Sequence, residues 1–179
     1  MQRNSLRPSP LSCDVIDQTW LHIARQLGFD VHRTNVSYAS FDGRGAIFVG
    51  AGETLDTDDC VAQLVFHELC HALIQGEANL NKVDWGLENK DVRDISREYA
   101  ALRLQAHLAD LEGLRDLMAP TTEWRPYYED LPANALEGVD EAAALVRMAV
   151  SAQLFAQWQP LLKTALRRTR EHLFTIGSW

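Results

Sequence analysis

The stretch Phe66-His67-Glu68-Leu69-Cys70-His71-Ala72-Leu73 reads H-E-x-x-H inside an apolar run that continues on both sides. Helix residues four apart stand one above the other, so His67 and His71 can aim two imidazoles at one metal ion. Glu68 then falls beside the ion and not on it, where a carboxylate can take a proton from metal-activated water. In a chain with this content of His and Glu, a chance H-E-x-x-H has a probability on the order of 1%. The competing account is a pair of core histidines with an incidental Glu, and buried imidazoles would still need partners.

Working outward, Asp56-Thr57-Asp58-Asp59 offers N-cap and first-turn acids, and Gly76 offers a left-handed residue past the last turn. The spacing predicts a helix from about Asp58 to Gln75. Val61, Leu64, Val65, Phe66, Leu69, Leu73 and Ile74 surround it with apolar side chains, so it should be nearly buried. Before it, Ala46-Ile47-Phe48-Val49 is a short run of strand type, preceded by the turn signal Asp42-Gly43-Arg44-Gly45 and the β-rich Val31 to Phe41. These predict a small antiparallel hairpin. A free edge on the strand just before the helix could pair with an extended peptide, while Ile47 and Val49 pack the sheet on the helix.

A catalytic zinc takes three protein ligands and keeps a fourth position for water, so two histidines are not enough. No further His stands at the close downstream spacing of a three-histidine site. The candidates are Asp84, Glu88, Asp91, Asp94, Glu98 and the more distant His107. Glu98 lies between Ile95 and Leu102 on the stripe expected to face inward, and a buried carboxylate needs a cation. Asp91 and Asp94 fall in the first turn, where the helix dipole accounts for them. Asp84 and Glu88 belong to a loop, and His107 stands about 180° from Glu98. Glu98 is therefore the expected third ligand, with Glu88 or Asp94 in reserve.

His67-Glu68-x-x-His71 followed by Glu98-x-Ala100-Ala101 resembles the gluzincin arrangement, and the interval from His71 to Glu98 is similar to that of ImmA/IrrE-type metallopeptidases. The resemblance spans about Ala46 to Leu108. It implies a zincin-like fold, Zn2+ held by His67, His71 and Glu98, and Glu68 as the general base of peptide-bond hydrolysis. Tyr99, Tyr127, Tyr128 or His107 could assist the oxyanion, although packing accounts for each. The alternative function is a zinc-binding protein with a regulatory or scaffold role; a third account is a helical interaction domain whose motif is coincidental.

Length and composition are those of one globular domain over residues 1–179, with 46% of residues hydrophobic and 23% charged, and the order of strand and helix patterns makes it α+β, mainly helical. The polar start, to Pro10, is expected to be flexible. A net charge of −8 disfavours a nucleic-acid surface. The basic cluster Lys163, Arg167, Arg168 and Arg170 reads as a solvated face that complements a helix C-terminus. No run is long enough for a signal core or a membrane span, and Cys13, Cys60 and Cys70 form no C-x-x-C pair, so a cytoplasmic location is expected. Cys70 reads as a core residue. The expected partner is a peptide or protein substrate, with neither nucleic acid nor membrane.

Elsewhere, Ile16, Trp20, Ile23, Ala24 and Leu27 mark a packing helix that stops at Gly28, with His22 on its surface. Glu77 to Lys90 reads as a loop that Trp85 anchors, with sealing of the cleft as the alternative. Asp91 to Leu117 reads as one long helix, Pro120 to Pro132 as irregular and aromatic, and the remainder as helices over Val139–Trp158 and from Pro160 to about Phe174.

Overall fold

The computed structural model describes residues 10–51, 54–55, 59–88 and 92–175. It is mixed α and β. Helix α1 (Pro10–Gln26) is followed by strands β1 (Asp30–Thr34), β2 (Ala39–Phe41) and β3 (Ala46–Gly50), then helices α2 (Val61–Gln75), α3 (Val92–Asp110), α4 (Arg125–Glu129), α5 (Glu141–Val150) and α6 (Gln153–Thr175). The N-terminal stretch expected to be flexible lies, apart from Pro10, outside the described residues.

The sheet contains the expected hairpin and adds a strand to it. β2 and β3 form the antiparallel pair across the turn at residues 42–45, where the Asp42 carboxylate accepts from the Arg44 and Ala46 N–H groups. β1, however, joins the other side of β3 in parallel, which makes the sheet mixed and β3 its central strand. The strand before the metal-motif helix therefore has no free edge, and the expected peptide addition to it is excluded by its two partners. The outer edge of β2 carries a substitute acceptor: Asp84 Oδ1 takes the Phe41 N–H at 2.9 Å.

α2 is the axis of the core. Val61, Ala62, Leu64, Val65, Phe66, Leu69, Cys70, Ala72 and Leu73 are all buried, as its apolar surround demands. They share one core with Trp20 and Ile23 of α1, Ile47 and Val49 of β3, and Leu162, Ala165 and Leu166 of α6. Each fully buried large side chain of this kind contributes roughly 1.5–3 kcal/mol by leaving water. The helix starts at Val61, later than expected; Asp56, Thr57 and Asp58 lie outside the described residues. Its first turn is satisfied from elsewhere: Asp17 Oδ1 of α1 accepts the Ala62 N–H, and Gln63 Oε1 accepts the Cys60 N–H. Asp59 is turned instead toward the Tyr38 and Thr121 hydroxyls. Gly76, at φ 76°, closes the other end with its N–H on the Ala72 carbonyl.

Downstream of α2 the boundaries shift. The expected loop after Gly76 contains two short 3-10 turns, Glu77–Asn79 and Val83–Gly86; Asn89, Lys90 and Asp91 lie outside the described residues. α3 ends at Asp110 and not near Leu117, and Leu111 is exposed. The aromatic segment after Pro120 holds the short helix α4. The last two helices part at Ser151–Ala152, so Pro160 lies inside α6 and does not begin a helix. Its ring is on the exposed side, and buried Phe155, Trp158 and Leu162 around it offset a cost of about 3 kcal/mol for an internal proline. The basic residues of α6 are largely exposed, but Arg170 reaches buried Glu112 at 2.8 Å and Arg167 lies 3.7 Å from Glu171. Among the described residues no helix is long and apolar enough to cross a membrane.

Candidate metal centre

Two helices build the centre. α2 and α3 pack side by side, α2 presenting His67 and His71 one turn apart and α3 presenting Glu98 against them. His67 Nε2 and His71 Nε2 are 3.0 Å apart. His67 Nε2 lies 3.0 Å from Glu98 Oε1, and His71 Nε2 lies 3.0 Å from Glu98 Oε2. The three side chains thus turn their ligand atoms toward one point, and they form the group among the described residues that could hold a metal ion. A tetrahedral ion with ligand bonds of about 2.0–2.1 Å needs donors about 3.3 Å apart, so the triangle needs to open by only tenths of an ångström. Two imidazoles and one carboxylate fit the group in number, spacing and chemistry.

The ring orientation of His67 follows from a residue that sequence reading missed. Gln105 is 1% exposed and stands seven residues, two turns, after Glu98 on the same face of α3. Its Nε2 donates to the Met118 carbonyl, which can only accept, so its Oε1 is the atom turned to His67 Nδ1 at 2.8 Å. His67 Nδ1 must then carry the proton, and Nε2 is left for the centre. Such an outer partner fixes tautomer and ring plane together. A lone Gln in the apolar run Ala100 to Ala109 was the available sequence signal. His71 Nδ1 is buried without a hydrogen-bond partner among the described residues.

The electrostatics show how strongly the three groups depend on one another. Burial alone would push the His67 imidazolium down, but the adjacent Glu98 carboxylate outweighs it and raises the pKa to about 9. Burial would likewise raise the Glu98 carboxyl, yet the two imidazoles hold it far below the usual carboxylate range. The His67 proton thus stands beside the Glu98 carboxylate, where a cation could replace it.

Glu68 is 7% exposed and stands outside this triangle. Its Oε2 accepts the Trp85 indole N–H at 2.7 Å. Trp85 is therefore an anchor, as expected, stacked on Phe41 at 3.7 Å, and it is also a partner of the motif. Cys70 is fully buried, and burial pushes its thiol well up, in keeping with a core role.

The other sequence candidates are employed elsewhere. Asp84 binds the Phe41 N–H, Asp94 Oδ2 accepts from the Glu88 N–H at 3.3 Å, and Glu88 is exposed. Asp91 lies outside the described residues. Ile95, expected to face inward, is 43% exposed, so the buried face of α3 begins at Glu98. Tyr127 stacks on Tyr99, and its hydroxyl accepts from Arg103 Nε. The Tyr128 hydroxyl donates to the Arg115 carbonyl. His107 is half-buried and joins no ligand group; burial lowers its pKa.

Comparison of the chain with known protein families, with curated proteins and with solved structures finds no match. The candidate metal site stands on its own geometry.

Proposed function

We propose that this chain is a zinc-dependent metallopeptidase of gluzincin type, with His67, His71 and Glu98 as the zinc ligands and Glu68 as general base. The observation that carries the reading is the 3.0 Å triangle of ligand atoms, built by an H-E-x-x-H helix and an acid from the next helix. Zinc in such a set supplies a Lewis acid that polarises a carbonyl and makes water acidic near neutral pH.

The chain's own residues then have separate tasks. Gln105 orders the His67 ring, and Glu98 balances charge beside both imidazoles. Glu68 follows His67 in sequence and lies next to the triangle without joining it. In hydrolysis of a peptide bond it would accept a proton from the attacking water and return one to the departing amine nitrogen. The bond broken is C–N and the bond formed is C–O, and no oxidant or reductant is required. The substrate class is a peptide or protein. The same two motifs support the likeness to ImmA/IrrE-type peptidases, although Tyr99 and Leu102 depart from the residues usual in that family after its Glu.

Zinc content of protein expressed in metal-replete medium is the first test, with about one ion per chain expected. A value near zero rejects this reading and the non-catalytic zinc scaffold together. Glu68→Gln should keep zinc and fold while lowering kcat on a peptide library by about 10²–10⁴. Zinc-bound protein in which wild type and Glu68→Gln are equally inert would leave the scaffold role in place of the peptidase.

A further inference from the structure

We infer that Trp85 is the positioning residue for Glu68: its indole N–H holds Oε2 and leaves Oε1 as the oxygen that works as the base. The inference rests on the reading of Glu68 as general base and deepens it.

The bond is 2.7 Å long and joins a side chain 1% exposed to one 7% exposed. No other donor among the described residues is bonded to the Glu68 carboxylate. An indole suits the task chemically. It donates one hydrogen bond, accepts none, and does not ionise, so it can fix a carboxylate without competing for its proton. A lysine or arginine at the same place would neutralise the base, and a serine hydroxyl could turn away.

The local backbone shows that the direction of this N–H is held against a cost. Asp84 and Trp85 both adopt the left-handed region, at φ 46° and 59°. For non-glycine residues such conformations are strained and persist only when the surroundings enforce them. Here they do so from three sides. Asp84 Oδ1 takes the Phe41 N–H of β2. The indole lies flat on the Phe41 ring, 5° from parallel, and edge-on to Phe29. At Gly43, φ 73°, a Cβ would come within 2.8 Å of the Val83 nitrogen, so only glycine admits this close approach of the 81–83 segment. Filling space in a core requires none of these constraints. Aiming one N–H at one carboxylate oxygen does.

The test uses the full chain loaded with zinc and the small chelator acetohydroxamate, whose acidic hydroxyl gives its proton to a neighbouring base. Trp85→Phe keeps the ring stack and removes the donor. It should weaken acetohydroxamate binding about tenfold, a typical cost of losing an outer partner, while zinc affinity stays within about twofold. In a Glu68→Ala background the same substitution should change acetohydroxamate binding by less than about twofold, since no base remains to be positioned. On a cleaved peptide, kcat should fall about tenfold with KM nearly unchanged. Equal weakening in both backgrounds, or none in either, overturns the inference. A second measurement leaves Trp85 intact, in case Trp85→Phe does not fold. In ¹⁵N-indole-labelled protein, the N–H signal with contacts to the Phe41 ring should shift and exchange faster in Glu68→Ala, and the other indoles should stay in place; an unmoved signal overturns the inference. If wild type binds no zinc the proposed function fails, and the indole measurement still decides whether Trp85 holds Glu68.

Discussion

Glu98 and Arg103 stand five residues apart on α3, both charged and both largely buried, and they are satisfied in opposite ways. The Arg103 guanidinium spreads its donors outward: Nε to the Tyr127 hydroxyl, one terminal nitrogen to the Ala135 and Glu137 carbonyls, the other to Asp140 Oδ2, all within 2.9 Å. Those partners lie on the segment from 127 to 140, which Arg103 ties to α3. Glu98 gathers its partners inward, two imidazole nitrogens that are also 3.0 Å from each other. A charge met by fixed, diverging acceptors is complete as it stands. Converging ligand atoms around one point leave a place that a cation could complete.

The largest effects expected should separate the two residues cleanly. Arg103→Met leaves the Ala135 and Glu137 carbonyls without their donor and should lower the unfolding free energy by about 1–3 kcal/mol, read by urea denaturation of metal-free protein. Its zinc affinity, measured while folded, should stay close to wild type. Glu98→Ala should do the reverse, weakening zinc by at least about a hundredfold, since even outer partners of ligands cost ten- to hundredfold. If Arg103→Met also abolished zinc binding in folded protein, or Glu98→Ala left it unchanged, the division between structural and binding charge would be wrong.

Gln105 sharpens the contrast, because it is buried on the Glu98 side and touches a ligand without being one. Gln105→Leu keeps the volume and removes the acceptor for His67 Nδ1–H. Zinc affinity should fall about 10–100-fold, less than for Glu98→Ala, by competition with a chelating dye. A loss as large as that of Glu98→Ala would make Gln105 more than an orienting partner.

How much of this was readable before folding depended on whether a residue's role lay along one element. His67, His71 and Glu68 share α2, so helix geometry alone places them, and Glu98 could be picked out as an acid on an otherwise inward stripe. The apolar surround of α2 was equally legible. The sheet order was not: β1 and β3 pair in parallel across residues 35–45, which include β2, and no short strand announces which neighbour it takes. Gln105 and Trp85 have roles only through their partners on other elements, Met118 and His67 in one case, Glu68 in the other. The break at Ser151–Ala152 escaped because Pro160 offered a stronger local signal, which packing of α6 overrode.

Acidity offers a smaller and graded test. In metal-free protein His67 keeps its proton to about pH 9, against 6.5 for an ordinary histidine, and zinc must displace that proton to bind. Apparent zinc affinity should therefore climb about tenfold per pH unit from pH 7 toward 9 and level off above, measured with a pH-independent competitor. The metal-free protein should behave oppositely. The stability that His67 gains from Glu98 is fully present below 6.5 and lost as pH rises through about 9. Glu98, held low, contributes stability present above its ordinary 4.5 and lost in strong acid. In Arg103→Met neither slope should change, because Arg103 touches no group of the centre.

The smallest effect expected is the one that most tightly fixes the third ligand. Asp94 stands one helical turn before Glu98 on the same face, so it is the nearest rival in sequence. Its carboxylate is committed otherwise: Oδ2 accepts the N–H of Glu88, which precedes α3, at 3.3 Å, and Oδ1 lies 3.9 Å from Arg97 of the same helix. An acid there stabilises a helix N-terminus by about 0.3–1 kcal/mol. Asp94→Ala should then cost about that much in stability and leave zinc affinity within twofold, with exposed Glu88→Ala changing neither. A zinc loss in Asp94→Ala equal to that in Glu98→Ala would move the third ligand one turn toward the N-terminus. It would also return Glu98 to the class of Arg103, a buried charge that holds the fold and nothing else.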